Sequence, residues 1–257
     1  MFISFKGFSQ ILFSEESASQ NINVSHGVNE FVGGMSFFDF DNDGWDDLTF
    51  ASEDGSPMYF FKNNSGTFNS ISLNLTDHQD DTRQITWVDI DNDGDNDLFV
   101  VSHNAQNRLY LNDGSMNFTD ITVQSGISTV VMRSWGASWG DYNNDGYLDL
   151  FLSNYDLPLA VYPNLLYRNN GDNTFTDVSA SAGISTSNHY SFCSAFFDYN
   201  NDGWQDIYIV NDRFTTSNIL YENNGDGTFT DVSAASGMGI YMDAMSTTIE
   251  DYNYDGY

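Results

Sequence analysis

Asp89-Ile90-Asp91-Asn92-Asp93-Gly94-Asp95-Asn96-Asp97 is the stretch on which the reading of this chain turns. It carries oxygen side chains at positions 1, 3, 5 and 9 and a glycine at position 6. Calcium takes about six to eight oxygen ligands, and short acidic side chains at alternate positions of a tight loop supply most of them. The glycine lets the backbone turn where a side chain would clash. The carbonyl at position 7, here that of Asp95, adds a further oxygen.

The pattern recurs. Its copies begin at residues 39, 89, 141, 198 and 251, at intervals of 50, 52, 57 and 53. The candidate side-chain ligands are Asp39, Asp41, Asp43 and Asp47; Asp89, Asp91, Asp93 and Asp97; Asp141, Asn143, Asp145 and Asp149; Asp198, Asn200, Asp202 and Asp206. Position 7 offers the carbonyls of Trp45, Asp95, Tyr147 and Trp204. A fifth copy has Asp251, Asn253 and Asp255, and the sequence stops at Tyr257 before position 9. It is expected to be empty or weak. The second loop has the most charge and is expected to bind tightest; Asn143 and Asn200 leave the third and fourth one charge short. Magnesium fits less well, because it keeps its waters and rarely uses an all-protein cage.

A period near 50 residues points to a propeller, solenoid or array. Each loop follows a short strand-like run, such as Ile85-Thr86-Trp87-Val88, and precedes another, such as Leu98-Phe99-Val100-Val101. Small residues three before the first aspartate (Ser36, Thr86, Ser138, Ala195, Thr248) point to a crowded side. A third run (Leu109-Tyr110-Leu111) leads into an Asn/Gly-rich turn, and a fourth (Asn117-Phe118-Thr119-Asp120-Ile121) closes the period. β-branched and aromatic runs this short do not fit the helices that flank an EF-hand. The expected fold is therefore all-β, a β-propeller of four-stranded blades with the cation loop between the first two strands. It is expected to form one domain over 1–257, incomplete at both ends. The blades are read as 34–75, 85–127, 136–184 and 193–239, after a partial blade at 1–33 whose last strand is Ile11-Leu12-Phe13. Residues 247–257 open another.

Composition narrows the function. The formal net charge is -30, from 37 acidic and 7 basic residues, and roughly half of the acids lie in the five loops. Without cations those loops repel themselves, so folding and metal binding are expected to be linked. An aromatic content of 16% is too rich for disorder. So few basic residues exclude a phosphate-binding patch, and hence nucleic acid and anionic membrane surfaces. No run is apolar enough to insert in a membrane. Met1–Phe13 makes a poor signal peptide. Cys193 is the single cysteine, so no intrachain disulfide or cysteine-based zinc site forms.

The Asp-x-Asp/Asn-x-Asp-Gly-x-x-Asp loops resemble those of the FG-GAP/VCBS family, calcium-loop propellers of integrin α-chains and bacterial surface proteins. Segments such as Leu220-Tyr221-Glu222-Asn223-Asn224-Gly225-Asp226-Gly227-Thr228-Phe229-Thr230-Asp231-Val232 look most like cartilage-acidic-protein-like and ASPIC/UnbV-type propellers. The resemblance covers the chain from about residue 11. It implies a seven-bladed propeller, secreted or on the cell surface, with calcium in a loop of each blade. The present chain has fewer blades and reads as an arc of such a ring or as a smaller closed ring.

The function expected is a calcium-binding, non-catalytic module for protein or glycan binding and adhesion, located outside the cell or at its surface. Two alternatives remain at this stage: a propeller of a polysaccharide-degrading enzyme such as a lyase, and a spacer without ligand. The lyase would need a non-recurring cluster of His, Arg, Lys or Tyr on the central channel, which 7 basic residues make hard to assemble. His103, Arg108, Arg133 and Asp156 can reach a propeller face, with no fixed mutual geometry. His26, His78, His103 and His189 do not recur at one repeat position and read as surface or core residues. Gly136-Ala137-Ser138-Trp139-Gly140 matches a hydrolase nucleophile motif, but it precedes a metal loop rather than a helix, so Ser138 reads as a repeat position.

Overall fold

Each period folds into a four-stranded antiparallel meander, as seen in a computed structural model that describes residues 14–24, 33–53, 55–75, 80–155, 162–185, 187 and 189–251. The first unit comprises β1 (Met35–Phe38), β2 (Asp47–Phe50), β3 (Tyr59–Asn63) and β4 (Phe68–Ile71). The second has β5 (Thr82–Val88), β6 (Asp97–Ala105), β7 (Arg108–Asn112) and β8 (Phe118–Asp120). The third has β9 (Met132–Gly140), β10 (Asp149–Asn154), β11 (Leu165–Asn169) and β12 (Phe175–Asp177). The fourth has β13 (Ser191–Phe197), β14 (Asp206–Asn211), β15 (Ile219–Asn223) and β16 (Phe229–Asp231), followed by a single helical turn, α1 (Ser233–Ser236). Strands pair in sequence order within each unit, so the architecture is the propeller blade expected. The expected strand Ile11-Leu12-Phe13 lies outside the described residues, as do His26, His78, Asp156, Asn253 and Asp255.

Second strands are buried on both faces. β10 and β14 have no exposed residue, and Leu98, Phe99 and Leu150 are fully covered. The middle of a strand sandwiched between two neighbouring sheets has no face left for water, which explains the apolar runs Leu98-Phe99-Val100-Val101, Leu150-Phe151-Leu152 and Ile207-Tyr208-Ile209-Val210 in β6, β10 and β14. The core accordingly lies between units. Phe40, Phe60, Trp87, Leu98 and Tyr110 fill the gap between the first and second, and Phe99, Leu109, Leu150 and Tyr167 that between the second and third. Phe151, Leu166, Ile207 and Tyr221 fill the gap between the third and fourth. Trp87 stacks on Phe40 at 4.8 Å and donates its indole N–H to Thr49 Oγ1 at 3.0 Å, which satisfies its one polar atom in the core. Burying a side chain of this kind contributes about 1.5–3 kcal/mol.

First strands of successive units lie side by side. The crowding expected there is present. Ser138 Oγ is 2.7 Å from Ser194 Oγ, and a Cβ on Gly136 would come within 2.6 Å of the Phe192 carbonyl. Gln84 spans two units: Ala137 N–H donates to its Oε1 at 2.8 Å, and its Nε2 donates to Ala137 O at 3.0 Å.

These strands begin earlier than the apolar runs indicate, at Thr82, Met132 and Ser191 rather than 85, 136 and 193. The reason is a one-residue bulge near the start of each. Thr82 and Gln84 face the consecutive residues Ser102 and Val101; Ser134 and Gly136 face Asn154 and Ser153; Ser191 and Cys193 face Asn211 and Val210. Arg83, Trp135 and Phe192 are the extra residues. A bulge breaks the period-2 pattern and so hides the strand start.

Candidate functional site

The acidic loops share one local structure. Position 4 is left-handed in all four complete copies, with Asn42, Asn92, Asn144 and Asn201 at φ 58°, 61°, 56° and 58°. Position 6 is too, with Gly44, Gly94, Gly146 and Gly203 at φ 93°, 92°, 91° and 88°. Asparagine and glycine accept this conformation at least cost. The position 1 carboxylate ties the turn together. Asp39 accepts from the N–H groups of Asp43 (3.0 Å) and Gly44 (2.8 Å), Asp141 from Asp145 (3.0 Å) and Gly146 (2.9 Å), and Asp198 from Asp202 (3.1 Å) and Gly203 (2.8 Å). Asp89 accepts from Gly94 at 3.0 Å.

Position 9 clamps the loop to the sheet. Asp47, Asp97, Asp149 and Asp206 are buried. Each accepts the N–H of position 2 on one oxygen (Phe40, Ile90, Tyr142, Tyr199). The other oxygen accepts the N–H of the asparagine that ends the third strand (Asn63, Asn112, Asn169, Asn223), at 2.7–2.8 Å. Burial pushes Asp97 and Asp149 up to about 7 and Asp47 up to about 6, with neighbouring loop carboxylates adding to the shift. Asp95 is raised to about 6, by burial first and then by Asp93, Asp91 and Asp89.

Such loops suit a hard cation. One carboxylate oxygen from each of Asp39, Asp41 and Asp43 lies within 4.8 Å of the others, and so do oxygens of Asp89, Asp91 and Asp97. Oδ1 of Asp41, Asp89 and Asp95 is buried with no hydrogen-bond partner among the described residues. A buried carboxylate oxygen without a donor is costly unless a cation serves it. The donors are all oxygen, which matches calcium rather than zinc or copper. In the third and fourth loops the position 3 side chains turn to their neighbours: Asn143 Nδ2 donates to Asp145 at 2.8 Å and Asn200 Nδ2 to Asp202 at 2.9 Å. Position 7 gives N–H bonds to position 5 from Trp45 (3.0 Å), Asp95 (3.0 Å), Tyr147 (2.9 Å) and Trp204 (2.9 Å). Of the fifth copy only Asp251 is described, and it is half-buried.

Two elements escaped the sequence reading. Position 4 asparagines join loop to loop: Asn42 Nδ2 donates to Gly94 O at 2.9 Å, Asn92 Nδ2 to Gly146 O at 2.8 Å and Asn144 Nδ2 to Gly203 O at 3.1 Å. Lys62, on β3, reaches into the first loop and pairs with Asp41 and with Asp43. The recurrence of Asn at position 4 was a visible signal for the first; nothing in the spacing marks the second.

The basic cluster that 7 basic residues make hard to assemble is present in part. Arg83, His103, Arg133, Tyr155 and Arg213 line one cleft at the end of the sheets away from the acidic loops. Arg133 donates to His103 Nε2 from Nη2 at 3.0 Å and from Nε at 3.3 Å. Burial, with Arg83 and Arg133 beside it, lowers His103 to about 4. Its acceptor nitrogen is thus occupied and weakly basic, a poor general base for a lyase. Arg108 instead binds Asp120 on the outer strand at 3.1 Å. Ser138 sits mid-strand beside Ser194 and Phe151, and among the described residues no histidine is bonded to it. Cys193 is half-buried.

One hundred and one residues, 39% of this chain, are 32% identical to human (Homo sapiens) cartilage acidic protein 1 and span 14% of it. The mouse (Mus musculus) protein of the same name is 31% identical over 101 residues, or 15% of its length. The chain thus spans about a seventh of these relatives. Among solved structures, an Agrocybe aegerita lectin described as recognising non-reducing terminal N-acetylglucosamine superposes with a TM-score of 0.50 at 16% identity, covering 79% of this chain and 52% of the lectin. The FG-GAP-like repeat pattern matches residues 39–100, 89–152, 160–209 and 198–257. Those four matches take in every complete acidic loop, and the chain belongs to the FG-GAP-like repeat family.

Proposed function

We propose that this chain is a calcium-stabilised, non-catalytic propeller module that binds a protein or glycan ligand, in a secreted or surface protein that mediates adhesion. The observation that carries the metal part is the convergence of Asp89, Asp91 and Asp97, with Asp89 Oδ1 buried and without a partner. Side chains at positions 1, 3, 5 and 9, with the carbonyl at position 7, would hold the ion in each loop. Its charge would offset carboxylate repulsion and fix the hairpins that set the sheet edges. Millimolar calcium is an extracellular condition, which supports the location. Among the described residues no helix is long and apolar enough to cross a membrane.

The lectin likeness, and the match to a cartilage acidic protein, support a binding role over an enzymatic one. The occupied nitrogen of His103 points the same way. A thermal melt of chelator-treated protein, titrated first with calcium and then with magnesium, tests the reading. One site filled at a hundred times its Kd adds about 2.7 kcal/mol, which raises the midpoint of a domain this size by roughly 5–10 °C. A midpoint indifferent to calcium would overturn it.

A further inference from the structure

The two ends of the sheets are built on different rules. At the loop end every unit repeats one chemistry. At the opposite end, equivalent positions carry different residues. The bulge residue is Arg83, then Trp135, then Phe192. The residue just past the paired end of the second strand is His103, then Tyr155, then Asp212; their N–H groups donate to the carbonyls of Asp81, Arg133 and Tyr190 in turn. A structural role repeats with the repeat, whereas a single ligand site does not. Bulges re-aim side chains, and these three aim theirs into one cleft of about 470 Å³.

Trp135 lies at the centre of the cleft's aromatic lining. The indole lies 4.5 Å from the Phe192 ring, 5.0 Å from His103 and 5.9 Å from Tyr155, with the Arg83 guanidinium 4.8 Å from its centroid. Charge is divided across it. On one side stand Arg83, paired with Asp81 at 2.8 Å, and Arg133. Among the described residues no carboxylate lies within ion-pair distance of Arg133; its guanidinium is held only by neutral His103. On the other side Tyr155 OH donates to Asp212 at 2.9 Å and accepts from Arg213 Nε at 3.0 Å, with Asp243 near by.

We propose that this cleft binds an acidic sugar residue carried on an otherwise neutral glycan. It rests on the ligand-binding reading above and names the ligand class. The guanidinium of Arg133 is the planar donor fork that a carboxylate takes. Trp135, Phe192 and Met245 supply the apolar wall against which a sugar ring would pack, and Asp212, Asp243 and Tyr155 offer partners for hydroxyls on the far side. Three of the 7 basic residues meet here in a chain of net charge -30. That background repels a uniformly charged polyanion and leaves one carboxylate at one place as the favourable case.

Calorimetry on the full chain in calcium tests this with an oligosaccharide ending in a single glucuronate, and with the same oligosaccharide after its carboxylate is reduced to the alcohol. The acid should bind at least tenfold tighter than the alcohol. Arg133→Ala should lose at least tenfold for the acid and nothing for the alcohol, Trp135→Ala should lose both, and Arg168→Ala on the outer part of the third sheet should change neither. Arg133→Met, which keeps the apolar stem, replaces the alanine variant if that fails to fold. Equal binding of acid and alcohol, no binding of the acid, acid binding that survives Arg133→Ala, or equal binding of an acidic peptide would overturn the proposal. Calcium-dependent melting of the same samples reads the metal sites separately, so a chain that melts as expected yet ignores the acidic sugar sinks only the cleft assignment.

Discussion

The ammonium of Lys62 lies 2.9 Å from Oδ2 of Asp43, inside the first acidic loop, and its second partner is Asp41. Lys62 therefore stands among the carboxylates that a cation would use. The two aspartates hold its pKa above the ordinary lysine value. Under the proposed calcium reading, the ion would have to displace this charge in the first loop and would meet no such competitor in the second, where the corresponding residue is Leu111. Among the four complete loops, calcium titration by calorimetry should therefore fill the first one last, despite its five aspartates. Lys62→Met should tighten that site at least tenfold and leave the others alone. An unchanged isotherm would show that Lys62 does not compete.

The metal-free protein should be more stable near pH 5 than near pH 7.5. Asp97 and Asp149 are raised to about 7, and Asp47 and Asp95 to about 6, against about 4 in an unfolded chain. Between these values the folded state holds more protons than the unfolded one, so its stability falls as pH rises. His103 works the other way. Lowered to about 4, it stays neutral in the fold while the unfolded histidine protonates below about 6.5, so it removes stability as pH drops. Four carboxylates outweigh one imidazole. Calcium should reverse the trend, because it requires the ionised form. Chemical denaturation at several pH values, with chelator and with calcium, measures both slopes.

Neighbouring loops should respond together, because Asn92 Nδ2 donates to the Gly146 carbonyl at 2.8 Å. Asn92→Gly keeps the left-handed turn but deletes the bond, at about 1 kcal/mol. Asn92→Val deletes the bond and also forces a β-branched residue to φ 61°, at about 2–4 kcal/mol in total. If the bond couples the sites, Asn92→Gly should weaken calcium binding in the third loop as well as the second. Denaturation midpoints and calcium isotherms of the two variants separate the terms.

What could be read from the sequence follows from what repeats. Asp89, Asp91, Gly94 and Asp97 announce a loop because the same spacing returns in three more complete copies and begins a fourth, and the apolar strand Leu98-Phe99-Val100-Val101 must be buried on both faces. The cleft had no such signal. Arg83, Trp135 and Phe192 share a position but no chemistry, and each sits on a bulge that interrupts the strand pattern. Arg133 and His103 are 30 residues apart and meet because β6 runs on to pair with the start of β9. That pairing between units depends on chain paths that periodicity does not encode.

The contact between the first strands of the second and third units should be strengthened by one amide. Gln84 accepts the Ala137 N–H at 2.8 Å and donates to the Ala137 carbonyl at 3.0 Å, so a side chain completes a bridge that two first strands do not make by themselves. Gln84→Leu leaves both peptide groups without that partner and should cost about 2–4 kcal/mol. Gln84→Glu is the more telling change. Its carboxylate still accepts the N–H but sets an acceptor against the Ala137 carbonyl, so the variant should recover on acidification, when the carboxyl can donate. A pH-dependent rise in the Gln84→Glu midpoint, absent from Gln84→Leu, is the expected result. Identical pH profiles would mean that the Gln84 amide adds nothing to the β6–β9 pairing and apolar packing that also join the units.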